Sequence, residues 1–228
     1  MYYEAEEGEN RLRMLIYIVR HGETRSNVDG LLQGWTNDPL NENGISLAEI
    51  TGRGMKGIYF DECISSPLIR TRQTAEIILR ESGNLRTPID FDSRIMEISM
   101  GDWEGKRFRP GEREVDERDI KTFFTEPFRF RGFPGGENVQ QVCARTQEFL
   151  RELARRDDGK TYLVTTHGFA LRGMLNMLYD NPEDYWHGHV PYNCAVNIIS
   201  AKSGKMELIE EDKVYYDLGE AVDRYSKY

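Results

Sequence analysis

The sequence predicts an α/β domain on a mainly parallel sheet with one antiparallel edge. Three observations carry that reading. Two short apolar runs, Met14-Leu15-Ile16-Tyr17-Ile18-Val19 and Thr161-Tyr162-Leu163-Val164-Thr165-Thr166, have the length and composition of buried parallel strands and are too short to span a bilayer. Strand-like and helix-like segments alternate between them, as in a sheet covered by helices. Near the C terminus, strand-like residues 195–199 and 206–209 flank Lys202-Ser203-Gly204-Lys205, the pattern of a β-hairpin.

The elements follow in order. Residues 1–11 are polar and read as a flexible extension. The first strand ends at Arg20, and residues 21–44 form a polar loop whose glycines and unusual length suggest a functional role. Residues 45–55 predict a helix and 58–64 a strand. Ser65-Ser66-Pro67 then starts a helix, with Ser66 as cap and Pro67 in the first position. Leu68, Ala75, Ile78 and Leu79 supply its apolar stripe. A turn and a short strand occupy 84–92. Residues 123–136 are a loop dense in Phe, Arg, Pro and Gly. A long helix over 138–156 turns Val142, Phe149, Leu150 and Leu153 inward, and a helix over 169–178 follows the second strand. The tail after Asp212 has no clear pattern.

Composition narrows the function classes. A net charge of −9 argues against a general nucleic-acid binder, although a local cluster of arginines can still hold an anion. Cys63, Cys143 and Cys194 are widely spaced with no CxxC, which argues against a disulfide framework or zinc site and for a reducing compartment. The start lacks the basic-then-apolar order of a signal peptide, and no run is long enough for a membrane span. A cytoplasmic protein without a membrane or nucleic-acid partner is expected.

Both predicted core strands end in a histidine and a glycine, His21-Gly22 and His167-Gly168. In open α/β sheets ligands bind at such strand ends. Arginine beside an imidazole disfavours its protonated form and keeps it nucleophilic, and arginine binds phosphoryl oxygens. Arg20 adjoins His21. Arg70 lies in the first turn of the helix begun by Ser66-Pro67, where a cation opposes the helix dipole unless an anion compensates. Each residue alone also fits a structural role; their joint occurrence points to an anion site. His187 and His189 lack the carboxylate or cysteine spacing of a metal pair, and His189 is a weak candidate for substrate contact. Phe128-Arg129-Phe130-Arg131 could stack bases and track phosphates, which the net charge disfavours.

Taken in order, Arg20-His21-Gly22-Glu23-Thr24 with Asn27, Gln33-Gly34-Trp35, Ser65-Ser66-Pro67 with Arg70 and Thr74-Ala75, Glu97 with Gly101-Asp102-Trp103-Glu104-Gly105, and Thr166-His167-Gly168 resemble the histidine phosphatase superfamily, which includes cofactor-dependent phosphoglycerate mutases. The resemblance implies a phosphoglycerate mutase-like three-layer α/β/α sandwich over 1–228, with an insert at about 105–137 covering the active site. It implies His21 as the nucleophile that becomes phosphohistidine. Arg20, Arg70 and His167 would form the phosphate pocket, and Glu97 would be the acid and then the base. Asn27, Thr24, Gln33, Gly34 and Gly168 would contact phosphate or substrate. It implies no metal, no cofactor and a small phosphate ester as substrate. Oligomeric state stays open, a homodimer included.

Within that family, glycolytic mutases usually carry a longer basic segment after the catalytic glutamate. Ile98-Ser99-Met100-Gly101 and the later Pro134-Gly135-Gly136-Glu137-Asn138 look more like the phosphatase branch, including broad-specificity and α-ribazole phosphatase-like proteins. A phosphomonoesterase is therefore expected, with a mutase as the alternative and a non-catalytic phosphate binder as a second one. Arg129 and Arg131 are candidates for a second anionic group of the substrate.

Overall fold

The computed structural model describes residues 13–217. The extension expected over 1–11 lies outside them, as does the tail beyond 217. In chain order the elements are β1 (Met14–Arg20), α1 (Arg25–Asp29), α2 (Glu42–Gly54), β2 (Glu62–Ser65), α3 (Ile69–Ser82), β3 (Ile89–Phe91), α4 (Glu117–Thr125), α5 (Val139–Ala154), β4 (Thr161–Thr166), α6 (Gly168–Leu175), β5 (Val196–Lys202) and β6 (Lys205–Lys213).

One six-stranded sheet runs in the order β3-β2-β4-β1-β5-β6. The pairs β2/β3, β2/β4 and β1/β4 are parallel, while β1/β5 and β5/β6 are antiparallel. The mainly parallel sheet with its antiparallel edge is thus as the sequence predicts. Side chains alternate across the pleat, so Ile16 and Ile18 join Val164, Phe149, Leu150 and Leu171 on one face. Tyr17 and Val19 join Leu163, Ala75 and Ile78 on the other. These are the two helical layers: α5 and α6 on the first face, α3 on the second. Val142, Phe149, Leu150 and Leu153 are all buried on α5, and a Leu150→Ala change would cost about 2–5 kcal/mol.

Four expectations need correction. The loop 21–44 contains α1, because Thr24 caps it and exchanges both bonds of a capping box with Asn27. β2 starts at Glu62 rather than 58, because the Asn84 side chain accepts from Phe60 N at 3.0 Å and donates to Ile58 O at 2.8 Å, drawing those residues out of the ladder. α3 starts at Ile69 with Leu68 as an N-cap that makes no side-chain bond; the Ser66 hydroxyl lies 2.8 Å from His167 Nε2 instead. The aromatic stretch is not only loop, because Asp116 caps α4 by accepting from Arg118 and Asp119 N–H. That region packs as a separate apolar cluster, with Phe108, Ile120, Phe123, Phe130 and Phe133 buried beside Phe169 and Tyr185.

Candidate active site

The parallel pairing of β1 and β4 sets Arg20 opposite Thr166, and His21 N continues the ladder by donating to Thr166 O at 2.9 Å. The two histidines that follow these strands are thereby brought together, with ring centroids 5.2 Å apart. The turn after His21 requires glycine: a Cβ on Gly22 would sit 2.5 Å from the Gly44 carbonyl oxygen.

His21 Nδ1 lies 2.7 Å from Gly22 O. A carbonyl only accepts, so Nδ1 carries the proton and Nε2 keeps its lone pair. Burial first, then the charges of Arg70 and Arg20, holds this imidazole well below its usual pKa. His21 is therefore a neutral imidazole in a buried, cationic setting, with a nucleophilic nitrogen.

Arg70 is fully buried. It donates from Nη1 to Thr36 O at 2.6 Å, from Nη2 to Gly34 O at 2.7 Å and from Nε to His167 Nδ1 at 3.1 Å. His167 Nδ1 thus accepts, and its Nε2–H donates to Ser66 Oγ. Burial followed by the Arg70 charge keeps His167 neutral as well. Burial lowers Arg70 to about 10, still a cation at neutral pH. Arg20 is nearly buried and anchored on the Pro191 carbonyl.

Glu97 faces the same cleft as His21. It sits in an irregular segment before the N-terminus of α6, where orphan N–H groups need acceptors. Ala170 N donates to its Oε1 at 2.9 Å and Phe169 N to its Oε2 at 3.1 Å. Burial raises its carboxyl above the usual carboxylate range, against the bonds from Ile98 and Phe169, the Arg70 charge and the bond from Ala170. A carboxyl group with a raised pKa suits proton donation near neutral pH.

The remaining candidates divide. Asn27, Gln33 and Gly168 line the cleft with Arg20, His21 and Glu97. Thr24 does not line it: its hydroxyl caps α1 and donates to Gln33 Oε1 at 2.9 Å, so its part is to orient Gln33. Gly34 also lies outside the lining; its carbonyl holds Arg70 and its N–H donates to Glu104. Arg129 is exposed and paired with Glu126 at 2.5 Å, and Arg131 is exposed too, so neither reaches the cleft. Phe128, Phe130 and Phe133 do not line it either. Phe108, Phe123, Phe124, Phe169 and Trp186, with Leu32 and Met100, form the wall. His187 stacks on Tyr179 with centroids 3.5 Å apart, and His189 Nε2 lies 3.3 Å from Asp212; neither lines the cleft.

Sequence reasoning missed Glu104 as a site residue. Its carboxylate accepts from the N–H groups of Gly34, Trp35 and Thr36, the Thr36 hydroxyl and Met100 N–H, and so shapes the loop whose carbonyls hold Arg70. The run Gly101-Asp102-Trp103-Glu104-Gly105 was its signal. Trp186 was missed too, for want of any local pattern.

Residues 16–211 match the model of the histidine phosphatase superfamily, branch 1. The broad-specificity phosphatase YOR283W of Saccharomyces cerevisiae is 30% identical over 201 residues, covering 87% of this chain and 83% of that protein. A 2,3-bisphosphoglycerate-dependent phosphoglycerate mutase of a Methylobacterium species is 34% identical over 176 residues, covering 73% and 81%. Among solved structures, Bacillus stearothermophilus YhfR superposes with a TM-score of 0.81 at 32% identity, covering 88% of this chain and 98% of that one.

Proposed function

The chain belongs to the histidine phosphatase superfamily, and from that premise we propose that it is a metal-independent phosphomonoesterase working through a phosphohistidine. The observation that carries this reading is the fixed tautomer of His21, neutral and with Nε2 unprotonated. Nε2 attacks phosphorus, and the ester P–O bond breaks. Glu97 gives its proton to the leaving oxygen. The new imidazolium keeps its Nδ1 proton on the Gly22 carbonyl, and Arg20 and Arg70 offset the charge of the phosphoryl oxygens. Glu97, now a carboxylate, takes a proton from water as its oxygen attacks phosphorus. The N–P bond breaks, and its electron pair returns to Nε2 as phosphate leaves.

A phosphatase is favoured over a mutase by the far wall of the cleft. A phosphoglycerate carries an anionic group beyond the reacting phosphate, whereas the described side chains of the far wall are apolar, Phe108, Phe123, Phe124 and Trp186 among them. The aromatic wall suits a monoester whose alcohol carries an aromatic or apolar group, because such a group gains by leaving water. The 34% identical mutase keeps a second reading open to test: return of the phosphoryl group to a phosphoglycerate.

The test is phosphate release in EDTA from p-nitrophenyl phosphate, α-ribazole 5′-phosphate and 3-phosphoglycerate, with isomerisation of the last measured in parallel and His21→Ala beside the wild type. Release lost in His21→Ala, with acid-labile phosphohistidine trapped in the wild type, is the expected result. Isomerisation without release would select the mutase. Neither turnover nor trapped phosphohistidine would leave a binding protein.

A further inference from the structure

Glu97 stands on backbone that no regular element supports. The short 3₁₀ turn Ser93–Ile95 ends before it, residues 96–100 belong to no strand or helix, and the sheet ladder passes them by. A carboxyl group that must meet a leaving oxygen within hydrogen-bond distance needs its main chain fixed to a fraction of an ångström. Trp35 Nε1 donates to Glu97 O at 2.9 Å, and α5 adds a guanidinium. Arg145 donates from Nη1 to Arg94 O at 2.8 Å and to Met96 O at 2.6 Å, and from Nη2 to Glu97 O at 2.9 Å. Three carbonyls of the segment thus close on one guanidinium.

Glu137 completes the arrangement. It grips Arg145 with both oxygens, Nε to Oε1 at 2.8 Å and Nη2 to Oε2 at 2.8 Å, and Oε2 also accepts from Ser99 N at 2.8 Å. Its backbone N–H donates to Ser99 O at 2.9 Å. The two side chains are each only 17% exposed, where charge-assisted bidentate bonds are strong and directional. Glu137 is itself placed by the next residue, Asn138, which caps α5 in a reciprocal box with Gln141. A planar five-donor group is what this geometry requires; lysine has no fork to span the carbonyls.

We propose that Arg145 and Glu137 form a clamp that positions Glu97 for proton transfer, so that Arg145 is a positioning residue for the acid and not for the phosphate pocket. The inference rests on the reading of Glu97 as general acid. It makes a prediction that a merely structural arginine would not. Loss of the clamp is felt only where the leaving oxygen needs a proton. Aryl esters with a good leaving group depart as the anion, whereas alkyl esters must be protonated.

The experiment compares kcat/KM for p-nitrophenyl phosphate with that for benzyl phosphate, in wild type, His21→Ala, Arg145→Met and Glu137→Gln, with thermal unfolding of each. Because kcat/KM covers only the steps up to release of the alcohol, hydrolysis of the phosphoenzyme, common to both esters, does not enter. In Arg145→Met we expect benzyl phosphate to lose about 10²-fold and p-nitrophenyl phosphate less than about 3-fold. Glu137→Gln, which keeps the shape of the pair, should show the same bias at about 10-fold, and it decides the matter should Arg145→Met not fold. Equal losses on the two esters, or none, in folded variants would overturn the clamp while leaving the phosphatase intact. A wild type that turns over neither ester would overturn the function itself, and the clamp with it.

Discussion

Around His21, Arg70 and Glu97, position is set by hydrogen bonds; along the wall of the same cleft it is set by packing. Arg70 spends its donors on Thr36, Gly34 and His167, His21 is oriented by Gly22, and Glu97 by three backbone N–H groups. The rings of the wall are set against one another: Phe123 stacks on Phe169 at 4.9 Å, and Phe124 on Trp186 at 6.2 Å. The difference teaches where chemistry and selectivity reside. On the proposed reaction, the polar end treats one group, the phosphoryl, in one geometry. The apolar side accepts shapes, and changes there should alter which ester is used without altering how it is cut.

The contrast breaks first, and most severely, at His21. His21→Ala should lower phosphate release on the order of 10⁴-fold or more for every ester; a variant within tenfold of wild type would end the phosphohistidine reading. Next comes Glu97→Gln, expected to lower kcat/KM for alkyl esters about 10²–10³-fold and to change the pH profile. His21 must be neutral to attack, and its pKa is lowered, so activity should persist below the usual imidazole range before failing in acid. Glu97 must be protonated to donate, and its pKa is raised, so activity falls as pH climbs through that raised value. In Glu97→Gln the alkaline limb of the kcat/KM profile should vanish; a limb that stays would assign it to another group.

Trp186→Ala and Phe124→Ala sharpen the other side. Each should cost about 10-fold in kcat/KM for aromatic esters and leave glycerol phosphate nearly unchanged; a uniform loss would mean that the wall serves the polar end after all. The smallest effect is expected from Arg129→Ala. With its guanidinium exposed and paired to Glu126, relative rates across a panel of phosphate esters should shift less than about 2-fold.

The same contrast explains what could be read in advance. His21 and His167 were legible because each ends a strand, and strand ends are announced by an apolar run stopping at a polar residue and glycine. The buried stripe of α5 and the C-terminal hairpin were legible from period alone. α4 was not, because Ile120 and Phe123 lie beside so many other phenylalanines that no face stands out. Ser66 reads locally as a helix cap; only the distant His167 diverts it. Arg145 and Glu137 look like any charged pair flanking an amphipathic helix, since the carbonyls they meet belong to residues 94–97, far away in the chain. Arg129 and Arg131 were misleading for the opposite reason: their sequence neighbours Phe128 and Phe130 pack into the aromatic cluster while they face water.

The order of the sheet has one last consequence. β4 lies between β2 and β1, although both of those are synthesised long before it. A growing chain therefore carries His21 with its activating neighbourhood missing, and His167 arrives only when β4 slots between two strands that wait for it. Such long-range closure is slow by nature. Recovery of activity during refolding will thus keep time with completion of the whole sheet, and the enzyme clocks its own assembly.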